Sequence, residues 1–205
     1  MRSNADISAS SEAISPDVMS AIQRKDIGMT KLPKNAQKQY VYRIVNSPVG
    51  ALKLVGSDDG LAAILWDNDR PGRVPLLIVA EDESHPVLLE TERQLREYFA
   101  GERQAFDLPL DFAGTEFQQK VWQALLAIPF GETRSYRQIA TEIGSAKAIR
   151  AVGAANGRNP ISIIAPCHRV VGSAGDLRGF AGGLERKAYL LRLEGADTKT
   201  FDFAA

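Results

Sequence analysis

Partway along this chain the spacing of its apolar residues changes, and that change limits the folds open to it. From Tyr40 the sequence reads YVYRIVNSPVGALKLVGSDDGLAAILW. Three short strand-like runs are separated by Ser-Pro and Asp-Asp-Gly turns, the pattern of an antiparallel β-meander. VPLLIVA, Val74 to Ala80, is a candidate fourth strand. Beyond it the spacing becomes helical. Val87, Leu88, Leu95, Tyr98 and Phe99 fall on one side of a helix between His85 and Ala100, with Gly101 as its stop. Phe117, Val121, Trp122, Leu125 and Leu126 form a second stripe, opened by the capping-box spacing of Thr115 and Gln118 and closed before Pro129. The sequence therefore reads as an α/β chain, a small N-terminal β-sheet with one helix followed by a mostly helical C-terminal part.

Within the helical part, Ser135 can cap a short helix from Tyr136 to Ile143, and Ser145 can cap another running through Ala148, Ile149 and Val152 to about Asn156. Joined at Gly144, they make a helix-turn-helix candidate. Helix pairs of this kind also occur in proteins that never meet DNA. The second helix carries the small residues Ala151, Gly153, Ala154 and Ala155 beside Arg150, which suits close approach to a duplex or tight packing against another helix. After Asn159-Pro160, the run ISIIAPCHRVV reads as a buried strand or extended segment leading to a turn at the cysteine. GSAGDLRGFAGG follows, a glycine-rich loop, and LERKAYLLRLEGA closes the domain as an amphipathic helix with Gly195 at its C-terminal cap.

Composition bounds the rest. With 205 residues and 44% hydrophobic content the chain can bury a proper core, and its length suits two subdomains. We expect a flexible extension over residues 1–39, an N-terminal domain over 40–112, a C-terminal domain over 113–197 and a tail over 198–205. The start MRSNADISAS is not a signal peptide, and no run of about 18 apolar residues occurs, so a soluble, cytoplasmic protein with no membrane partner is expected. Net charge is zero, but unevenly distributed: residues 40–133 hold eight basic and fifteen acidic groups, and residues 134–192 hold ten and three. A neutral total conceals an acidic front and a basic back, the latter suited to nucleic acid.

The basic part contains the only cysteine, Cys167, next to one of only two histidines, His168. One cysteine forms no internal disulfide, and Cys167, His85 and His168 are too few soft ligands for zinc, so no metal and no cofactor are expected. A lone cysteine on an apolar run is usually a small hydrophobe. Here the thiolate would be favoured by Arg169 and by His168 as a base, provided a turn or a bridging water brings the adjacent side chains together. Glu194 is a candidate to orient that base.

The run NPISIIAPCHRVVG, Asn159 to Gly172, resembles the signature of the O6-alkylguanine-DNA alkyltransferases, also called methylated-DNA-protein-cysteine methyltransferases. The resemblance extends over GTEFQQKVWQALLAIPFGETRSY, SYRQIA, AIRAVGAANGRNP and GFAGGLERKAYLLRLEG, and more loosely over the β-rich part, for which it implies a ribonuclease H-like fold. It implies DNA repair by direct reversal, with Cys167 irreversibly accepting the alkyl group from O6-alkylguanine, and from O4-alkylthymine, once per molecule. His168 is then the water-linked base, Glu194 its orienting acid and Asn159 the support of that network. Arg150 is the finger that replaces the flipped nucleotide, and Tyr136 helps rotate that nucleotide and lines the base pocket with Val170, Phe180 and Ala181. Arg137, Ser145, Ala151 and Ser173 are implied DNA contacts, with the helix-turn-helix in the minor groove of double-stranded DNA.

The implied protein is a monomer, with cooperative binding along DNA left open. Phe180 stands where many relatives have tyrosine, and the cysteine and histidine set with which some relatives bind zinc is missing. Two rival readings use the same residues. A non-catalytic sensor of alkylated bases has no need of Cys167, and a hydrolase triad of Cys167, His168 and Glu194 fits poorly with adjacent Cys and His.

Overall fold

The computed structural model describes residues 38–196. Apart from Lys38 and Gln39, the expected N-terminal extension lies outside the described residues, as does the tail over 198–205. The meander forms as its turns dictate. Strands β1 (Gln39–Ser47), β2 (Gly50–Ser57) and β3 (Gly60–Trp66) pair antiparallel, Ser47 facing Gly50 and Ser57 facing Gly60 across the two turns. Strand β4 (Leu77–Glu81) begins at Leu77 rather than Val74, since Pro75 has no N–H for a ladder and Val74 and Leu76 pack against the Tyr40 and Val55 cluster instead. It lies parallel to β1, giving the order β3-β2-β1-β4.

Helix α1 (Pro86–Phe99) buries Leu88, Leu95 and Tyr98 along the expected stripe, together with Thr91 and Gln94. The Gln94 side chain replaces a backbone partner for the segment that follows, donating to the Asp107 carbonyl at 2.7 Å and accepting from the Asp107 N–H at 2.9 Å. That segment then covers the free edge of β3, where Leu61 donates to Pro109 at 2.8 Å and accepts from Asp111 at 2.8 Å. Further along the same edge, Ile64 donates to Pro160 at 2.9 Å. One strand edge thus anchors both the connection between the two halves and the segment leading to Cys167, which leaves little of it unpaired.

Helix α2 (Glu116–Leu126) opens with the expected capping box between Thr115 and Gln118, and α3 (Tyr136–Glu142) opens with a second one between Ser135 and Gln138. The two-residue strand β5 (Arg134–Ser135) pairs parallel with β6 (Val170–Val171). Helix α4 (Ile149–Gly157) is capped by Ala148 without any side-chain bond, so the expected cap at Ser145 is corrected. Ser145 is already engaged: its N–H reaches Ala140 and the Gly144 N–H reaches Thr141, which closes α3 with Gly144 in the left-handed region at φ 69°. Helix α5 (Leu184–Leu193) ends in the same motif, with Gly195 after the capping residue Glu194.

Two larger apolar clusters frame the site. One joins the sheet and α1 to Ile161, Ile163, Ile164 and Leu190, and the other joins α2, α3 and α4 to Cys167 and Val170. Phe112 and Phe180 pack against both. The apolar run before the cysteine is not a strand, contrary to its pattern. Only Ile161 pairs with the sheet, and a turn follows in which Ile163 takes φ 74°. For a β-branched residue that conformation costs about 1–3 kcal/mol, so the surroundings must enforce it.

Candidate active site

The enforcing residue is Asn159. Its buried side chain donates to the Ala165 carbonyl at 2.7 Å and accepts from the Ile161 N–H at 3.1 Å, bracing the turn from inside. Arg73 braces it from the sheet side, donating to the Asn159 carbonyl at 2.5 Å while its guanidinium is held by Asp69. The chain leaves this turn through Pro166 into a single 3₁₀ turn, Cys167–Arg169. The bend expected at the cysteine is therefore present. In a 3₁₀ turn successive side chains diverge by about a third of a revolution, so Cys167 and His168 do not face each other directly.

His168 is wholly buried, and its Nε2 lies 2.8 Å from Glu194 Oε1. Burial lowers its pKa against the opposing pull of Glu194, so the ring is neutral near pH 7. A carboxylate only accepts, hence Nε2 carries the proton and Nδ1 presents a lone pair. Nδ1 has no protein partner among the described residues.

Glu194 sits at the C-terminal cap of α5, where a negative charge is unfavourable beside the carbonyl ends of the helix. It is held there by Arg169, whose Nε donates to Oε2 at 2.7 Å and whose second nitrogen donates to Oε1 at 3.0 Å, and by the Tyr98 hydroxyl at 2.6 Å. Burial works against ionisation, but the bonds from His168 and Arg169 outweigh it and hold the carboxyl at about 2. Burial and then the neighbouring Glu194 charge raise the Tyr98 hydroxyl, keeping it a donor.

Cys167 is 2% exposed. Burial pushes its thiol up, opposed by the Asn159 hydrogen bond, by the charges of Lys187 and Arg73, and by Ser162. Arg169, the cation next to it in sequence, is spent on Glu194 and the Ile128 carbonyl. Lys187 is fully buried on α5 and hydrogen-bonded to the carbonyls of Val170 at 2.5 Å and Arg178 at 2.8 Å, and with Arg73 it supplies the positive charge that opposes the rise of the thiol. Burial lowers Lys187 to about 8, and Cys167 and Asp176 resist that shift.

Tyr136 stands at the mouth of this arrangement, with its hydroxyl donating to the Arg178 carbonyl at 3.2 Å and Gly153 of α4 beneath its ring. Burial, then the nearby sulfur, raises it to about 12. Phe180 and Ala181 of the glycine-rich loop are part-buried beside it, and Val170 is wholly buried in the cluster that contains Cys167. The implied DNA contacts lie elsewhere. Arg137, Arg150, Ala151 and Ser173 are exposed and Ser145 is part-exposed, with Ala154 and Arg158 also open on α4 and after it. Two of the ten basic groups counted over 134–192, Arg169 and Lys187, face inward and cannot attract a duplex. Among the described residues no group of three or more His, Cys, Asp or Glu could hold a metal ion. No helix among them is long and apolar enough to cross a membrane.

Comparison with known proteins matches both parts of the chain. Residues 40–112 match the ribonuclease-like domain of 6-O-methylguanine DNA methyltransferase, and residues 116–196 match its DNA binding domain. The chain belongs to this methyltransferase family. It is 49% identical to the methylated-DNA–protein-cysteine methyltransferase of Methanosarcina acetivorans over 76% of this chain and 98% of that one. It is 48% identical to the protein of the same name from Mycobacterium tuberculosis, over 78% and 98%. The crystal structure of Mycobacterium tuberculosis OGT in complex with DNA is 46% identical, with a TM-score of 0.66 over 77% of this chain and 93% of that one. The fold agrees with the family: a sheet domain followed by a helical DNA-binding domain.

Against this family background, three residues of the site escaped the sequence reading. Tyr98 looked like one more member of a core stripe. Arg73 sits in a segment without period. Lys187 did leave a signal, because Lys187, Leu190, Leu191 and Glu194 occupy positions i, i+3, i+4 and i+7 of α5, so the buried stripe of that helix begins and ends on a charge.

Proposed function

We propose that this chain repairs DNA by taking the alkyl group from O6 of guanine, and from O4 of thymine, onto Cys167. The reading is carried by one observation: a buried cysteine beside a neutral histidine whose proton is fixed on the Glu194 side. Nδ1 of His168 accepts the thiol proton through one bridging water. The thiolate, balanced by Lys187, attacks the alkyl carbon; the C–S bond forms, the C–O bond breaks, and the electron pair stays on the base, which takes up a proton. A thioether is left. Thiol exchange acts on disulfides and does not cleave its C–S bond, so each molecule acts once.

The sulfur is too buried to reach a base inside a duplex, so the target nucleotide is flipped into the pocket. Unstacking costs a few kcal/mol, offset by Arg150 entering the vacated space and by phosphate contacts from Arg137, Ser145 and Ser173. The small exposed residues of α4, Ala151 above all, let that helix lie close in the minor groove. Tyr136, Val170, Phe180 and Ala181 line the base pocket, and Asn159 keeps the cysteine turn in place. The protein works as a cytoplasmic monomer without cofactor. Incubation with duplex carrying labelled O6-methylguanine tests the proposal: label should move to the Cys167 peptide in a single stoichiometric burst. Multiple turnover with an unmodified thiol would overturn it.

A further inference from the structure

Residues at the end of the N-terminal sheet hold the glycine-rich loop in place. Trp66, the last residue of β3, is 4% exposed and meets the edge of Phe180 with ring centroids 5.4 Å apart at 63°. Phe180 in turn stands edge-on to His168 at 6.4 Å. Gly182 lies directly on the indole, where a Cβ would come within 2.8 Å of the ring, so only glycine allows the loop to descend this far. On α5, just after the loop, Arg186 places its guanidinium 5.4 Å from the Trp66 ring centre. It is tied to Asp67 by bonds of 2.8 and 2.9 Å and to Asn68 at 2.9 Å. The near end of the loop is fixed separately, since the Arg178 carbonyl accepts from both Lys187 and Tyr136. Three consecutive residues at the end of β3 and just beyond it, Trp66, Asp67 and Asn68, therefore grip the far end and the middle of the loop, and Phe180 transmits that grip to the wall around Cys167.

We propose that Trp66, supported by the Asp67–Arg186 pair, is the positioning residue that sets how large an O6 substituent the pocket accepts. The inference rests on Cys167 being the alkyl acceptor. A hydroxyl at position 180 could anchor the loop by a hydrogen bond; phenylalanine cannot, and the edge contact with Trp66 takes over that work. A methyl group then fits with the loop in place, whereas a bulky group must part Phe180 from Trp66. Trp66 touches no substrate and acts only through the loop.

The test compares transfer from duplex O6-methylguanine with transfer from duplex O6-benzylguanine. Trp66→Leu should lower the methyl rate about tenfold by misplacing the wall, while the benzyl rate falls less or rises, so the benzyl-to-methyl ratio climbs several-fold. Trp66→Phe, which preserves an aromatic edge, should restore a ratio near that of the unaltered protein. Asp67→Asn, at an exposed position outside the core, should move the ratio the same way by a smaller factor, and it carries the test if Trp66→Leu fails to fold. Equal losses on both substrates, or an unchanged ratio in every folded variant, would overturn the proposal. Failure of the unaltered protein to alkylate Cys167 at all would instead remove the reading beneath it.

Discussion

Arg169 and Lys187 are both cations buried in the basic half of the chain, and they solve the cost of burial in opposite ways. Arg169 is fully paired. Its guanidinium spans both oxygens of Glu194 and reaches the Ile128 carbonyl, and that carboxyl is held at about 2. Lys187 touches only two carbonyls and falls to about 8. A planar fork with five donors suits a permanent structural pair, while a single ammonium without a carboxylate partner keeps its charge available for a group that ionises during the reaction. Arg169, two positions after the cysteine, is committed to Glu194, the partner of His168; Lys187, twenty positions after it, opposes the rise of the thiol.

The largest way to break this contrast is Glu194→Gln. It leaves Arg169 buried without its counter-charge, at a cost of about 3–5 kcal/mol. For a domain of this size the melting temperature should drop by roughly 10 °C, read by calorimetry, with transfer nearly abolished because the His168 proton is no longer fixed. Lys187→Met should do the reverse: at neutral pH it removes a buried ammonium that opposes folding, so melting should hold or rise, but the thiol ionises less readily. Each unit by which the thiol pKa rises removes about tenfold of the thiolate, so transfer near pH 7 should fall by about that factor and recover as pH is raised. An equal loss of stability in both variants would erase the distinction.

The lowered pKa of Lys187 sharpens the comparison through pH. Its folded value of about 8 lies below the ordinary 10.5, so in that window the folded chain has given up a proton that the unfolded chain still holds. Stability contributed by this group therefore rises between those limits, by up to about 1.4 kcal/mol per pH unit. Cys167 and Asp176 face the ammonium and temper the slope. Denaturant titrations of the unaltered protein and Lys187→Met should diverge above pH 8. An exposed cation gives the smallest effect on stability. Arg150→Ala should melt unchanged and should slow repair in duplex DNA far more than transfer from free O6-benzylguanine; equal losses would refute its role as the finger.

The turns of the meander, the stripes of α1 and α2 and the capping boxes at Thr115 and Ser135 were legible because each is set by residues within a few positions of one another. Ser145 misled for the same reason: as a cap it is a good local signal, but α4 begins later, at Ile149 after the capping residue Ala148. The run before Cys167 misled because its apolar pattern suits a strand, and only the side chain of Asn159 and the grip of Arg73 turn it away from the sheet.

Sequence alone nominated the residue proposed to react and the partners of like chemistry that could attend it, since one cysteine, its histidine and a charged helical end leave few combinations. Only the tertiary structure chose among them. Tyr98 meets Glu194 across 96 positions and Arg73 meets Asn159 across 86, and no local period encodes a meeting at that separation. Burial then decides what each charge is worth, because in a dry interior charges act more strongly than in water, and on the groups the fold brings near rather than on those they follow in the chain.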